Sequence, residues 1–189
     1  MLSINNIRSH LTEGGARPSL FQVIISNPIV SGADSLAPFM IRAAQIPASN
    51  LGRIIVPYMG RSYPLPGDRV FDDWSTTVVN DENFKVRDAL EAWSGAINSH
   101  RGNVATRGAA PSAYLSQATV TQYSKDGSIL RIYQFNNIWP AQINAIDLDW
   151  ATTDAIEEFQ VTWAYEDWKI IGGKTGDAAG TTGDSDGTL

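Results

Sequence analysis

This 189-residue chain shows no spacing of histidine or cysteine that is typical of a catalytic or metal-binding site. There is no cysteine, which excludes disulfides and thiolate metal ligands. The two histidines, His10 and His100, each stand apart in the sequence from a second ligand or a nucleophile. Histidine can act as a general base or a metal ligand, but an isolated one predicts a solvated loop residue.

A short segment, Gly173-Lys174-Thr175, resembles the end of a phosphate-binding loop. In the full motif another glycine precedes this triplet, and the helix that follows directs its positive end at the phosphate. Trp168 occupies the position of that glycine, and the residues after Thr175 are mostly Gly, Asp, Ala and Thr. The segment therefore predicts no nucleotide site.

Carboxylates cluster at Asp72-Asp73, Asp81-Glu82, Glu157-Glu158 and the pair Asp147/Asp149. Adjacent residues of a strand point to opposite faces, so neighbouring carboxylates there cannot converge on one ion. Asp147 and Asp149 could share a face, but a hard cation needs six or more oxygen ligands and the spacing fits no calcium loop. A solvated strand face is the favoured interpretation, and the sequence predicts no enzyme, cofactor or metal site.

Composition and charge are those of an acidic globular protein. Apolar residues make up 43% of the chain and charged residues 18%, and the formal net charge is −6. Counterion release on DNA needs clustered Lys and Arg, so a DNA-gripping role is disfavoured. No apolar stretch approaches the roughly 20 residues that span a bilayer, and the N-terminus lacks the pattern of a signal peptide. We expect a soluble protein without a membrane anchor.

Alternating apolar and polar residues predict about seven strands. Their expected ranges are Ser19–Ser26, Phe39–Ala44, Asp73–Val79, Leu115–Tyr123, Ile129–Asn136, Gln142–Asp149 and Glu157–Trp168. One long helix is expected over residues 82–99, because Val86, Leu90, Trp93 and Ile97 form a single apolar stripe. This pattern predicts a mainly β fold, a β-barrel or sandwich with one flanking α-helix.

Residues 1–171 are expected to form a single domain. Within it, residues 1–18 would be an N-terminal arm, with either a short helix or a mobile segment over residues 3–13. Residues 45–67 are rich in Pro and Gly and predict an irregular excursion that holds one hairpin outside the core sheet. Residues 172–189 contain no bulky apolar residue before Leu189 and predict a disordered tail.

The order and spacing of several segments resemble the tail tube proteins of contractile-tail bacteriophages (myoviruses). The resemblance covers residues 1 to about 170 and rests on long segments in the expected order. These segments are Arg17–Phe21, Val56–Arg61, Pro66–Trp74, Thr77–Glu82, Val86-Arg87, Leu148–Trp150, Ile156–Thr162 and Tyr165–Trp168. The loop at 27–38 and the tail at 172–189 depart from shorter members by being longer.

The resemblance implies a fold similar to phage tail tube and type VI secretion tube proteins. It implies hexameric rings that stack into a hollow conduit, surrounded by a contracting sheath and continuous with the baseplate. Genomic DNA would pass through the lumen without sequence-specific binding. The protein would reside in the virion tail after assembly in the host cytoplasm.

Two groups of candidate site residues follow from that role. The 45–69 region would stack ring on ring, with Arg61, Asp68 and Arg69 in charge pairs between subunits. Alternatively, Asp68 and Arg69 fix a turn inside one subunit. Glu158 and Glu166 are candidates for the lumen, where negative charge repels DNA phosphates.

Three other functions stay open. One is a different assembly protein of the same fold, such as a tube-initiating baseplate component. Another is the tube of a related contractile injection or secretion system. The last is a small-molecule-binding β-barrel, which would need an apolar pocket of several hundred cubic ångströms.

Overall fold

A computed structural model describes residues 10–11, 14–30, 37–106 and 110–175. Most of the predicted N-terminal arm helix, the centre of the long loop at 27–38 and the tail beyond residue 175 lie outside these residues. The described residues form nine strands, two helices and one short 3-10 turn. In chain order they are β1 Phe21–Ile25, α1 Ala37–Met40, β2 Ile41–Ala44, β3 Asn50–Tyr58, β4 Arg61–Val70, β5 Trp74–Val79, α2 Lys85–Ile97, the turn Pro111–Ala113, β6 Ser116–Tyr123, β7 Ile129–Ile143, β8 Glu158–Ala164 and β9 Asp167–Gly172.

Seven strands make one antiparallel sheet that bends along β7. The order is β1-β6-β7-β8-β5-β2, and β9 also pairs with β7. The first half of β7 pairs with β6 and β9, whereas the second half pairs with β8. Asn137, between the two halves, has a left-handed φ of 52°, a conformation that asparagine tolerates better than most residues. The predicted mainly β fold with one flanking helix is confirmed.

The core is aromatic and fills the space between the two halves of the bent sheet and α2. Trp74 stacks on Phe135 with ring centroids 4.5 Å apart, and Trp93 lies 5.8 Å from Trp163. All four side chains are almost fully buried. Trp74 comes from β5, Phe135 from β7, Trp163 from β8 and Trp93 from α2, so one cluster joins the helix to three strands.

Two indole N–H groups of this core have hydrogen-bond acceptors inside the protein. Trp163 Nε1 donates to Thr76 Oγ1 at 2.9 Å inside the protein, and Trp93 Nε1 donates to the carbonyl oxygen of Tyr114 at 2.8 Å. A buried N–H without an acceptor costs free energy. These two bonds let bulky indoles occupy the centre of the fold.

The long helix begins later than its sequence predicts. The expected range was 82–99, and α2 spans Lys85–Ile97. A turn precedes the helix, in which Phe84 N donates to Asp81 O and Phe84 adopts a φ of 52°. The Asp81 carboxylate accepts a hydrogen bond from Lys85 N, the first residue of the helix, at 3.2 Å. The apolar stripe is confirmed, since Val86, Leu90 and Trp93 are buried.

The strand expected at Glu157–Trp168 is two strands. The buried side of the first strand holds Phe159, Val161 and Trp163. The chain breaks at Tyr165-Glu166, where Glu166 N donates to the carbonyl oxygen of Asn136. The break lies opposite the bend of β7, because β8 and β9 pair with different halves of that strand.

Two other expectations from the sequence are wrong. The strand predicted at Gln142–Asp149 does not form, since residues 142–143 end β7 and residues 144–157 are a loop. The tail was predicted to begin at residue 172, but Gly172 closes β9 and the next residues continue along β7. Lys174 N and Thr175 N donate to the carbonyl oxygens of Ile129 and Leu130. The Gly173-Lys174-Thr175 triplet is therefore held against a strand and precedes no described helix.

The buried Trp163–Thr76 bond predicts a stability difference between two neighbouring threonines. Thr76→Val leaves the Trp163 N–H unpaired and should lower the free energy of unfolding by about 1–3 kcal/mol. Thr77→Val, on the opposite face of β5, should change it by no more than roughly 0.5 kcal/mol. Urea titration followed by circular dichroism measures both, and equal losses in the two variants would contradict the assignment.

Tyr165 predicts a loss of stability at alkaline pH. Burial raises the pKa of Tyr165 above its ordinary value of 10.0, and the charges of Asp72 and Asp73 add to this. The folded state therefore holds the phenol proton more tightly than the unfolded state, and this stabilisation is lost as the pH rises above 10. Tyr165→Phe should unfold with a weaker dependence on pH in that range.

The exposed Tyr58 supplies the matched control for the loss of a phenol. Tyr58→Phe should keep the wild-type dependence of unfolding on pH, measured by denaturant titrations at several alkaline pH values. If Tyr165→Phe and the wild type lose stability in parallel, the burial of this phenol does not govern the transition.

Candidate assembly surface

Strands β3 and β4 form a separate two-stranded hairpin that carries no part of the main sheet. Met59 and Gly60 make the turn, with φ angles of 45° and 80°, the double positive φ that favours tight hairpins. The sequence predicted a hairpin here but expected short, irregular strands. They are 9 and 10 residues long despite their prolines. A two-stranded ribbon has two outer edges, and a proline on an edge strand interrupts no ladder.

The hairpin exposes large apolar side chains along its length. The exposed ones are Leu51, Ile54, Ile55, Val56, Tyr58, Met59, Tyr63, Leu65 and Val70. An isolated two-stranded hairpin is marginally stable in water, and a continuous exposed apolar patch marks an interaction surface. The residues from 50 to 70, called the stacking hairpin below, therefore have the properties of a surface that another molecule covers.

Two core indoles hold the segment that leads into the stacking hairpin. Trp74 Nε1 donates to the carbonyl oxygen of Gln45 at 2.7 Å, and Trp168 Nε1 donates to that of Ala48 at 3.1 Å. Both tryptophans are placed by the main sheet, in β5 and β9. The hairpin thus projects from a fixed base, although its own strands make no pairing with the sheet.

The three predicted interface residues all lie on β4 but not together. Arg61 follows the turn at the tip, whereas Asp68 and Arg69 are near the base. Arg69 Nη1 donates to Ser49 Oγ at 2.6 Å, so this residue also binds within its own subunit. Among the described residues, none of the three forms an ion pair, and all three are exposed.

A glycine pair allows the two strands to approach near the base of the hairpin. The register shifts between Leu51 and Arg53, at Gly52. A Cβ on Gly67 would lie 3.1 Å from the Gly52 carbonyl carbon, and one on Gly52 would lie 3.1 Å from the Asp68 oxygen. Since both neighbours are backbone atoms, a side chain at either position would push the strands apart.

The two candidate lumen residues lie at opposite ends of β8. Glu158 is its first residue and pairs with Arg42, with 2.6 Å between Oε1 and Nη1. Glu166 follows the strand, in the turn before β9, and accepts a hydrogen bond from the Asn137 side chain. Glu158 and Gln160 lie on the less buried side of β8, whereas Glu166 is not part of the strand.

The loop at residues 144–157 is a surface that the sequence analysis missed. It is called the acidic loop below, because it holds Asp147, Asp149, Asp154 and Glu157 and no Lys or Arg. Its apolar side chains Leu148, Trp150 and Ile156 are exposed. The alternation of aspartate with apolar residues predicts a strand. The small residues after Trp150, among them Thr152, Thr153 and Asp154, are the signal that could have identified a loop.

A pocket of about 210 Å3 lies beside the segment that anchors the stacking hairpin. Phe21, Ala44, Ile46, Val120, Gln122 and Tyr133 contribute to its walls. Binding sites for small molecules usually occupy about 300–1,000 Å3. The pocket is smaller than that and suits a single side chain.

The metal sites considered from the sequence are not present in the described part of the chain. Across residues 10–11, 14–30, 37–106 and 110–175, no three His, Cys, Asp or Glu side chains are grouped so that they could hold a metal ion. Asp147 and Asp149 are loop residues with exposed side chains, not neighbours on a strand. None of the described helices has the length and apolar character needed to cross a membrane.

Comparison with proteins of known fold shows similarity at the level of architecture. The chain matches a structure of the anti-feeding prophage tube-terminating cap with a TM-score of 0.60 at 16% identity, covering 83% of this chain and 91% of that one. A sheath-tube complex of an extracellular contractile injection system matches with a TM-score of 0.53 at 15% identity, covering 90% and 99% of the two chains. At such identities the likeness concerns the fold alone.

Sequence comparison is more specific. The tail tube protein of Enterobacteria phage T4 is 35% identical over 155 residues, which cover 82% of this chain and 91% of the relative. The tail tube protein of Serratia phage KSP90 is 27% identical over 170 residues, covering 87% and 95%. The family model described as phage tail tube protein matches residues 16–171, which include the main sheet, α2 and the stacking hairpin. This chain belongs to the phage tail tube protein family and is a structural subunit of a virion tail.

Proposed function

We propose that this subunit closes into hexameric rings, which stack into the hollow inner tube of a contractile phage tail and conduct DNA at ejection. The observation that carries the proposal is the stacking hairpin, a long apolar ribbon on a fixed base. Such a ribbon loses its exposed apolar surface only when another subunit covers it. The proposed partners are further copies of the chain, the tail sheath and the baseplate, with assembly in the host cytoplasm.

Three strands of the main sheet, β1, β2 and β9, each have one pairing partner among the described strands, and the first two are the candidates for ring closure. β1 ends the strand order on one side and β2 on the other, so neither has a second pairing partner among the described strands. A ring closes when each subunit presents one surface to one neighbour and a different surface to the next. Joining β1 of one subunit to β2 of its neighbour would also remove two edges that invite aggregation.

The 45–69 region supplies the contact between rings. Arg61 at the tip is far from the anchored base and free to meet a carboxylate of the next ring. Asp68 and Arg69 near the base lie where the hairpin leaves the subunit, and the Arg69–Ser49 bond orients the guanidinium there. Charge pairs of this kind set register between subunits more than they add stability.

An acidic lumen would let DNA slide without adhering. The net charge of −6 supports this surface, with Glu158 and Glu166 as its candidate residues. Arg42 balances the charge of Glu158, whereas Glu166 faces a neutral amide, so Glu166 is the stronger of the two. No catalytic or cofactor-binding role is proposed for any residue.

The tube of a related contractile injection system is the second candidate function, favoured by the fold likeness to the anti-feeding prophage cap. A tube-initiating baseplate component has the same fold requirements. Polymer length separates such an initiator from a tube subunit, because an initiator forms a single ring and a tube subunit adds ring upon ring.

Charge reversal at the hairpin tests the proposed stacking. Electron microscopy of the wild-type protein across a concentration series should show hollow tubes of uniform width. Arg61→Glu and Arg69→Glu should leave the circular dichroism spectrum unchanged and yield isolated rings or monomers. Arg101→Glu, an equal charge change in the loop after α2, is the control and should give tubes; normal tubes from both hairpin variants would refute the stacking role.

The glycine pair provides an uncharged test of the same surface. Gly67→Ala forces β3 and β4 apart and should raise the concentration needed for tube formation roughly 5- to 30-fold, which corresponds to about 1–2 kcal/mol. The core should keep its thermal midpoint, because the hairpin lies outside the main sheet.

Gly95→Ala in α2 is the matched control, since its new Cβ meets only ordinary contacts at 3.9 Å. Light scattering during a concentration series measures the onset of assembly for both variants. An unchanged onset for Gly67→Ala would show that the geometry of the hairpin is irrelevant to polymerisation.

A further inference from the structure

The acidic loop presents an indole to solvent at a defined position. Trp150 is 102% exposed relative to a reference tryptophan, and Leu148 and Ile156 are 80% and 73% exposed. The Asp149 carboxylate accepts a hydrogen bond from Ala151 N at 3.0 Å, and the Asp149 carbonyl accepts one from Thr152 N at 3.2 Å. These bonds form a turn that holds Trp150 outward. Large aromatic residues supply much of the binding free energy at protein interfaces.

The acidic loop and the pocket lie at opposite ends of the subunit. The loop joins Ile143 to Glu158, and Glu158 pairs with Val79 at one end of the sheet. The pocket residue Ala44 pairs with Thr76, and the chain continues from there to the hairpin base beside Trp74, at the other end. A protruding side chain and a recess on opposite ends of one molecule cannot form a mutual pair between two copies. They form a head-to-tail contact that repeats along a stack.

Two arginines border the pocket, whereas the acidic loop is rich in carboxylates. The segment of the acidic loop holds Asp147, Asp149, Asp154 and Glu157 and no Lys or Arg, and Arg87 of α2 donates to the Asn144 carbonyl where the loop begins. At the pocket, Arg17 precedes the wall residue Pro18, and Arg131 Nη1 lies 3.5 Å from the hydroxyl of the wall residue Tyr133. Complementary charges of this kind orient two partners before their apolar surfaces meet.

The pocket matches an indole in size and chemistry. Its volume of about 210 Å3 is below that of most ligand sites, and Phe21, Ile46 and Val120 make much of it apolar. The side chain of Gln122 supplies an acceptor for an indole N–H. Tryptophan in a contact prefers such a site, an apolar recess with one hydrogen-bond acceptor.

We infer that Trp150 of one subunit seats in this pocket of a second copy of the chain in the adjacent ring, steered by the acidic loop. The inference rests on the proposed stacking. It adds a second contact between rings, in which the acidic loop of one subunit docks at the pocket of the next. The stacking hairpin and the pocket then belong to one face of the ring, and the acidic loop to the other face. Each ring presents basic residues beside its hairpins to the acidic loops of the next ring.

Cysteine cross-linking tests this contact directly, because the chain has no cysteine of its own. Ala16→Cys places a thiol on the pocket wall, and Ala151→Cys places one next to Trp150, so neither change removes the proposed contact. A mixture of the two single variants, treated with a short bismaleimide, should give a covalent dimer. The double variant A16C/A151C should give a ladder of higher oligomers, as a head-to-tail contact requires.

Three controls make the test specific. Ala92→Cys, on the exposed side of α2, should give no dimer with either single variant. Adding Trp150→Ser to A151C should reduce the cross-linked yield at least tenfold. Trp150→Phe should retain most of the yield, because a phenyl ring still fills an apolar recess.

The possible results separate this contact from the proposed function. The absence of a dimer between A16C and A151C, or an equal dimer yield with A92C, overturns the inference. If wild-type tubes still form in electron micrographs of the same samples, the stacking proposal stands and only the Trp150 contact is lost. If neither tubes nor dimers form at any concentration, both proposals fail. A dimer that depends on Trp150 supports the contact whether or not long tubes are seen.

Discussion

The architecture depends on one strand that serves two halves of a sheet. β7 runs for 15 residues and bends at Asn137, pairing with β6 and β9 before the bend and with β8 after it. The following chain must match this bend, which is why β8 and β9 are separated at Tyr165-Glu166. Bringing the two halves together creates the space that Trp74, Phe135 and Trp163 fill. The same sheet also places the two indoles that hold the base of the stacking hairpin, Trp74 on β5 and Trp168 on β9.

Most elements of the core could be predicted from the sequence, because buried residues recur at the period of a strand or a helix. β5 and β8 alternate buried and half-buried residues, and α2 has its apolar stripe where expected. Periodicity could not show that the segment after Ile143 lacks a pairing partner, since alternation at Asp147 to Trp150 is the same in a strand and in an exposed loop. It also could not locate the bend of β7, because a left-handed asparagine leaves no hydrophobic signal.

The position of the hairpin was predicted but its form was not, and its role in stacking stays a prediction. Proline and glycine between residues 45 and 67 located the excursion, and the resemblance to tail tube proteins assigned its residues to stacking. The low strand propensity of proline predicted short strands in this region. The structure shows why the argument fails here: both outer edges of a two-stranded ribbon are open. The hydrogen bonds from Trp74 and Trp168 to the hairpin base join residues far apart in sequence, so no local pattern could reveal them.

The unsupported hairpin affects how a polymer of this chain begins and grows. A ribbon with both faces in water fluctuates, so the first contact between two free subunits must also supply the ordering free energy of the ribbon. At the end of an existing assembly, several neighbours offer their surfaces at once, and the same cost is offset by more contacts. In the proposed polymer, nucleation is therefore expected to be slow relative to elongation. Such kinetics favour a few long polymers over many short ones and give a template control over where growth starts.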